Sequence, residues 1–362
     1  MSIKDPLTKM MSLETGYADL GEKRIAINKA VSKINRQARE RSKESVCCLC
    51  GKVCSSFCNS HSVPEFSLKK IAEKGYVAQV LQGEFPTMGD ATGLNKAGTF
   101  HLICNECDNT MFYEYENPEA YSQKPNERML AQIAMKNALQ MISKRKQEIE
   151  FYDVIDRQYE NIHFIGTGKS IEELDLAEYQ TSLRYAINTL SGQESGRYNL
   201  CFFQVLDYVV PIATQSSLCL VGDLEDGIIN NIYNLSEQYH MASIHVAVFP
   251  LEETSIVLLF TESNTKRYRK FIRQLKRIEP IDQLSAINYM LFSYTENIFL
   301  HPSTYENVRK NRDFMEVCRR TTIAETPLIF ENHIQTAIEE FSFSKRNTIP
   351  NLLSKEYALK QV

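Results

Sequence analysis

Three short runs decide how this chain folds: Cys47-Cys48-Leu49-Cys50-Gly51-Lys52, then Ser60-His61-Ser62-Val63-Pro64, then Cys104-Asn105-Glu106-Cys107-Asp108-Asn109. A Cys-x-x-Cys turn is a tight knuckle that presents two sulfurs on one side. Two such turns supply four soft ligands in the tetrahedral arrangement that suits Zn²⁺. Cys47, Cys50, Cys104 and Cys107 make the best set. A rival set, Cys47, Cys50, Cys58 and His61, is local in sequence but leaves Cys104 and Cys107 without a role. Cys48 and Cys54 are expected to stand outside the ligand set.

The rest of the composition supports metal over disulfides. The chain has 362 residues and ten cysteines, and its start, MSIKDPLTKMM, has no apolar run that reads as a secretory signal. Clustered Cys-x-x-Cys pairs without such a signal bind metal more often than they cross-link. A soluble, cytoplasmic protein is expected, with no membrane partner, since the apolar runs fall far short of the ~20 residues that span a bilayer. Hydrophobic residues make up 43%, enough for a sizeable core. Lys and Arg number 41 against 45 Asp and Glu, so a globally basic coat is excluded, although a local basic patch is not.

Four regions are expected. Residues 1–44 form a basic N-terminal arm. Within it, 22–44 reads as a helix with Ile27, Ala30, Val31, Ile34 and Ala38 at helical spacing, and with eight Lys or Arg against three Glu. Residues 45–118 are the cysteine module, interrupted by a loop-rich stretch around 83–98. Residues 119–195 form a helical connector, with helices over 125–150 and about 171–190. Residues 196–362 form a separate α+β domain. In it, 199–210, 217–221, 243–249 and 255–261 read as short strands. A basic amphipathic helix follows over 264–277, and the remainder is mostly helical. The fold class is therefore α+β. The C-terminal domain offers a place for a regulatory partner or for homo-oligomer contacts.

The order Cys-x-x-Cys-Gly-Lys, Ser-His-Ser-Val-Pro, Cys-x-x-Cys-Asp-Asn resembles the four-cysteine branch of the HNH endonucleases, the ββα-metal nucleases. The resemblance covers about residues 45–118. It implies a zinc knuckle holding a catalytic hairpin and helix, with zinc purely structural. It implies His61, three residues before Pro64, as the general base that activates water. A separate Mg²⁺ or Mn²⁺ would stabilise charge on the scissile phosphate and would need hard oxygen ligands nearby. Asp108 and Asn109 are expected to hold or orient that ion, with Glu114, Glu116 or Asn117 able to complete it. Two positions depart from the family pattern: Ser60 stands where an acid usually precedes the histidine, and Asp108 where Asn usually follows the second cysteine pair.

Other signals are weaker. Gly166-Thr167-Gly168-Lys169-Ser170 lacks the upstream glycine of a phosphate-binding loop, since His163 stands there. The acids between Gly222 and Gly227 read as a solvated turn. The expectation is a metal-dependent endonuclease acting on DNA or RNA, of the kind found in bacterial restriction and anti-phage defence. The alternative is a non-catalytic, zinc-stabilised protein that binds nucleic acid or protein.

Overall fold

The computed structural model describes residues 24–80, 91–158, 165–192, 197–236, 238–320 and 333–360. The first 23 residues of the expected basic arm, the loop positions 83–90 and the boundary at 195/196 lie outside them.

The described chain is mixed α+β. Helix α1 (Arg24–Arg41) leads into the cysteine module. The module holds β1 (Ser60–His61), α2 (Glu65–Ile71), β2 (Tyr76–Gln79), β3 (Ala91–Gly93), β4 (Thr99–Phe100) and α3 (Asn105–Met111). Two long helices follow, α4 (Glu127–Gln158) and α5 (Ile165–Leu190). The second half comprises β5 (Tyr198–Leu206), β6 (Ile212–Leu218), β7 (Ile244–Pro250) and β8 (Ser255–Glu262). After these come α6 (Arg269–Leu275), α7 (Pro280–Tyr294), β9 (Ile298–Leu300), α8 (Pro302–Val308), α9 (Arg312–Cys318) and α10 (His333–Glu340).

Local chemistry sets several boundaries. Asn126 caps α4 by accepting the Met129 N–H at 2.9 Å. Pro280 and Pro302 sit in the first turns of α7 and α8, where their missing N–H costs nothing. The residues 166–170 lie inside α5, so the glycine-lysine run is helix and not a phosphate loop. Lys169 pairs there with Asp153 on α4 at 2.6 Å.

The strands β3-β2-β9-β6-β7-β8-β5 form one seven-stranded sheet, in that order, and every pairing in it is antiparallel. Successive strand residues point to opposite faces. On β7 and β8, Val246, Val248, Val257 and Leu259 enter one core with Tyr268, Phe271, Ile287 and Phe292 from α6 and α7 and the turn leading into α6. Ala247, Phe249, Leu258 and Phe260 enter the other, with Ile133, Ala134 and Leu139 of α4 and Val63, Leu68 and Phe112 of the cysteine module. Both faces are covered, which is why these strands read as unbroken apolar runs. Each buried Phe or Leu contributes roughly 1.5–3 kcal/mol relative to exposure.

This corrects the expectation of a separate C-terminal domain. Strand β2 of the cysteine module pairs with β9 through Ala78↔Leu300 and Gln79↔Phe299, so the sheet crosses the boundary. The expected helical connector is one layer of the molecule, because α4 and α5 cover a sheet face. Gly98, at φ +61°, shows how close the junction is. A side chain there would strike Ser62 Oγ and meet the Phe299 ring at 2.8 Å. Ser62 Oγ in turn donates to Asn297 Oδ1 at 2.7 Å, a buried link from the module to the loop before β9.

The basic helix expected over 264–277 is regular only across α6. Tyr268, Phe271 and Leu275 are buried against the sheet, as an amphipathic surface helix requires. Lys270 pairs with Asp223 and Glu225, both at 3.1 Å. Asp223 accepts the N–H groups of Glu225 and Gly227, so the acids between the two glycines are a capped turn. Among the described residues, no helix is long and apolar enough to cross a membrane.

Candidate metal centre and the ββα corner

The first knuckle forms because Gly51 takes φ +69°, which lets its N–H reach back to Cys47 O at 2.9 Å. The knuckle is docked on the segment before α3: Cys48 N–H donates to Leu102 O at 2.9 Å, and Cys58 N–H to Ile103 O at 2.8 Å. The second pair straddles the start of α3, where Cys104 is the N-cap residue. Folding thus closes the 54-residue separation between Cys50 and Cys104, whose sulfurs lie 3.9 Å apart.

The sulfurs of Cys47, Cys50, Cys104 and Cys107 all lie within 4.8 Å of one another. A tetrahedral ion with ~2.3 Å bonds to sulfur asks for edges of about 3.8 Å, so the four thiols are positioned to hold a metal ion. Burial raises the Cys47 thiol pKa, but the N–H groups of Cys50, Cys104 and Leu49 outweigh it and bring it down to about 6. A thiolate is the form that ligates. The rival ligand set is not assembled. Cys58 Sγ donates to Asp108 Oδ2 at 3.3 Å, and His61 Nε2 lies 3.0 Å from Leu94 O. Cys54 donates to Lys52 O at 3.3 Å, and Cys48 is exposed.

Strands β1 and β4 pair as a short ribbon, with Ser60↔Phe100 and His61↔Thr99, and α3 follows. This is a ββα arrangement with the cysteines at its base. Alternation along β1 sends the Ser60 and His61 side chains to opposite faces. Ser60 is 1% exposed and donates to Asp108 Oδ1 at 2.5 Å. His61 is half-buried, and its ring nitrogen meets Leu94 O and not that pair. A carbonyl can only accept, so the contact to Leu94 O places a ring hydrogen on Nε2, and in the neutral tautomer the lone pair is then on Nδ1.

The residue that organises the Asp108 side of the ribbon is Lys136, from the first third of α4. Its Nζ donates to Ser60 Oγ at 2.9 Å and Asp108 Oδ1 at 2.9 Å, and pairs with Glu116 Oε1 at 3.1 Å. It also lies 4.0 Å from the centroid of the Phe112 ring. The lysine side chain is 1% exposed. Burial opposes ionisation of Asp108, but Lys136, Ser60 and Cys58 outweigh it and hold its carboxyl below the usual range. Burial lifts Glu116, with Lys136 offsetting part of the rise, and lifts the Cys58 thiol to about 12.

The expected catalytic constellation is therefore not brought together. Asp108 and His61 serve opposite faces of the ribbon. Asn109 is exposed on α3. Asn117 caps the turn after α3 by accepting the Glu119 N–H at 3.1 Å, and Glu114 pairs with Arg128 at 2.8 Å. A divalent catalytic ion does not fit these residues, because the oxygens that would bind it already surround the Lys136 ammonium. Lys136 left one trace in the sequence: it interrupts a run, Met129–Leu139, that is otherwise apolar except for Gln132 and Asn137.

No family model, no curated protein and no solved structure matches this chain. The chemistry of the site is the ground for a functional reading.

Beside the ribbon, Thr99, the cross-strand partner of His61, lines a cavity of about 1000 Å³. The cavity lies between α4, α5 and the sheet, with Lys144, Glu172, Glu178 and Ser216 also on its wall. Arg145 on its helical side is tied to Glu148, Glu172 and Asp175 at 2.6, 2.8 and 3.1 Å.

Proposed function

We propose that this protein binds nucleic acid, with α1 contacting phosphates and the cysteine-held module, loaded with Zn²⁺, fixing the C-terminal end of that helix. The observation that carries this is the arrangement of α1. Val31, Ile34 and Ala38 are buried on its inner face. Lys29, Lys33, Arg36 and Arg39, with Lys43 just beyond the helix end, are exposed. At 100° per residue these five fall within an arc of about 120° opposite the buried face. Only Lys43 has an ion-pair partner among the described residues, Glu40 at 2.7 Å. The stripe spans roughly 20 Å at ~1.5 Å per residue, one charge every ~5 Å, a density matched to a phosphate backbone. The overall charge of −4 confines the attraction to this face. The resemblance of residues 45–118 to ββα nucleases points to the same class of partner.

The test is binding of labelled duplex and single-stranded DNA and RNA over a salt series. Replacing Lys29, Lys33, Arg36 and Arg39 by Gln is expected to weaken binding uniformly across sequences. The log–log salt slope on duplex DNA falls by up to about 3–4, near 0.9 for each lost phosphate contact. Unchanged affinity and slope would sink the proposal.

A second reading, hydrolysis, draws on the contact of His61 Nε2 with Leu94 O: in the neutral tautomer it leaves Nδ1 free to accept a proton, as a general base must. In the same assay, strand cleavage that disappears in His61→Ala, with nucleic-acid affinity and zinc content unchanged, makes the protein a nuclease. Intact strands under every divalent ion leave it a binding protein.

A further inference from the structure

We propose that Lys136 is the resident cation of the ββα corner, so that this corner takes no divalent ion while the lysine is present. Removing the lysine opens a site for one hard divalent cation. The inference rests on the geometry of Ser60, Asp108, Glu116 and Lys136, and holds whether or not the protein cleaves nucleic acid.

Three oxygens from three different elements converge on one nitrogen: Ser60 Oγ from β1, Asp108 Oδ1 from α3 and Glu116 Oε1 from the turn that follows, at 2.9, 2.9 and 3.1 Å. An ammonium has three hydrogens to donate, and three acceptors are present. Two carboxylates and a hydroxyl around a common point are also the donor types that Mg²⁺ and Mn²⁺ prefer. A cation there stabilises both carboxylates in their ionised form; without one, their proximity favours a proton on one of the pair. The lysine supplies it from inside the protein. Its stem comes from α4, its head rests on the Phe112 ring at 4.0 Å, and its side chain is 1% exposed. A divalent ion bound to Asp108 Oδ1 would sit within a few ångströms of that ammonium, in surroundings too dry to screen the repulsion. The two cations exclude each other, and the tethered one has no translational freedom to lose. With every ammonium hydrogen engaged, Lys136 also has no donor left for a phosphate. Its role is to hold the ribbon, α3 and α4 in register.

The experiment is a Mn²⁺ titration of zinc-loaded full-length protein, following free Mn²⁺ by electron paramagnetic resonance. Wild type is expected to leave the free Mn²⁺ signal undiminished. Lys136→Ala is expected to take up one Mn²⁺, to lose that uptake when Asp108→Asn is added, and to gain thermal stability as Mn²⁺ is raised, which wild type does not. Stoichiometric uptake by wild type that Asp108→Asn abolishes overturns the proposal. A folded Lys136→Ala protein that binds no Mn²⁺ overturns it as well. Lys136→Gln, which removes the charge but keeps two donors in the corner, replaces the alanine variant if that fails to fold and is likewise expected to take up Mn²⁺ in a manner that Asp108→Asn abolishes; wild-type uptake that Asp108→Asn abolishes overturns the proposal whichever variant is used.

Discussion

His245 stands inside the sheet at 3% exposure, its ring stacked on Phe260 with centroids 4.5 Å apart. Burial drives its pKa from 6.5 down to about 3, so the folded protein holds a neutral ring where the unfolded chain binds a proton. Between those values the unfolded state carries more protons. The contribution to stability is therefore full above pH 6.5 and is lost as pH falls toward 3, by about 4–5 kcal/mol in all. Glu262 works in the opposite direction. Burial lifts it from 4.5 to about 7, so its contribution is present at low pH and is lost as pH rises through that range. Comparing wild type with His245→Gln by urea denaturation cancels the glutamate. The stability difference between the two proteins should grow steadily from pH 3 to 6.5 and then level off; a difference that stays constant with pH would show that the ring is not held neutral. Nothing in the sequence distinguishes this histidine from the other scattered ones, because its state depends on neighbours 15 and 108 residues away, Phe260 and Asn137. The four clustered thiols are the opposite case. Each pair is three residues apart, so the turn that aims them is written locally. Lys136 falls between, a lysine in an apolar run whose partners come from three other elements.

At the scale of elements, α4 joins the two halves of the molecule. Its buried polar residues each satisfy a different neighbour. Gln132 Oε1 accepts the Tyr115 N–H at 3.0 Å, and Lys136 holds the corner. Asn137 accepts from Gln215 Nε2 on β6 at 3.1 Å, and its Nδ2 lies 3.3 Å from His245 Nδ1 on β7. Asn137→Ala strands Gln215 and His245 in a dry interior and should cost about 2–3 kcal/mol in urea denaturation. A loss below about 0.5 kcal/mol would mean that the amide contributes no net stability. The long helices were legible from their apolar stripes, although α4 runs to Gln158 and α5 starts at Ile165, beyond the expected ends. Of the strands, β7 and β8 lie where their apolar runs predict. The expected strand over 199–210 ends at Leu206, because Asp207 turns the chain and Pro211 cannot donate to a ladder. The next strand begins at Ile212 and not at Ser217. Strands β2 and β9 have four and three residues, too few for alternation to register, and their pairing is the contact that fuses the module to the sheet.

At the scale of the whole molecule, that fusion determines what a metal at the four thiols would stabilise. A module joined only by a linker would unfold by itself when its metal is stripped. Here Val63, Leu68, Ala97 and Phe112 share one core with Phe249, Phe260 and Phe299 of the sheet and with the inner face of α4. Ser62 bonds Asn297, and Lys70 on α2 reaches Glu252 beside β7 at 3.2 Å. The exposed Lys52–Glu106 pair between the knuckles adds little at 2.9 Å, which leaves the backbone bonds from Cys48 and Cys58, and a metal at the four thiols, to hold the knuckles. If these thiols hold a metal, losing it would loosen the knuckles and the β1–β4 ribbon beside them and expose one side of the shared core. Chelation, or Cys107→Ser, should therefore lower the melting temperature of the entire protein on the order of 10 °C. Scanning calorimetry should show a single transition before and after. A low-temperature transition that splits off while the main peak keeps its position would mean that the module folds as an independent unit despite the shared sheet.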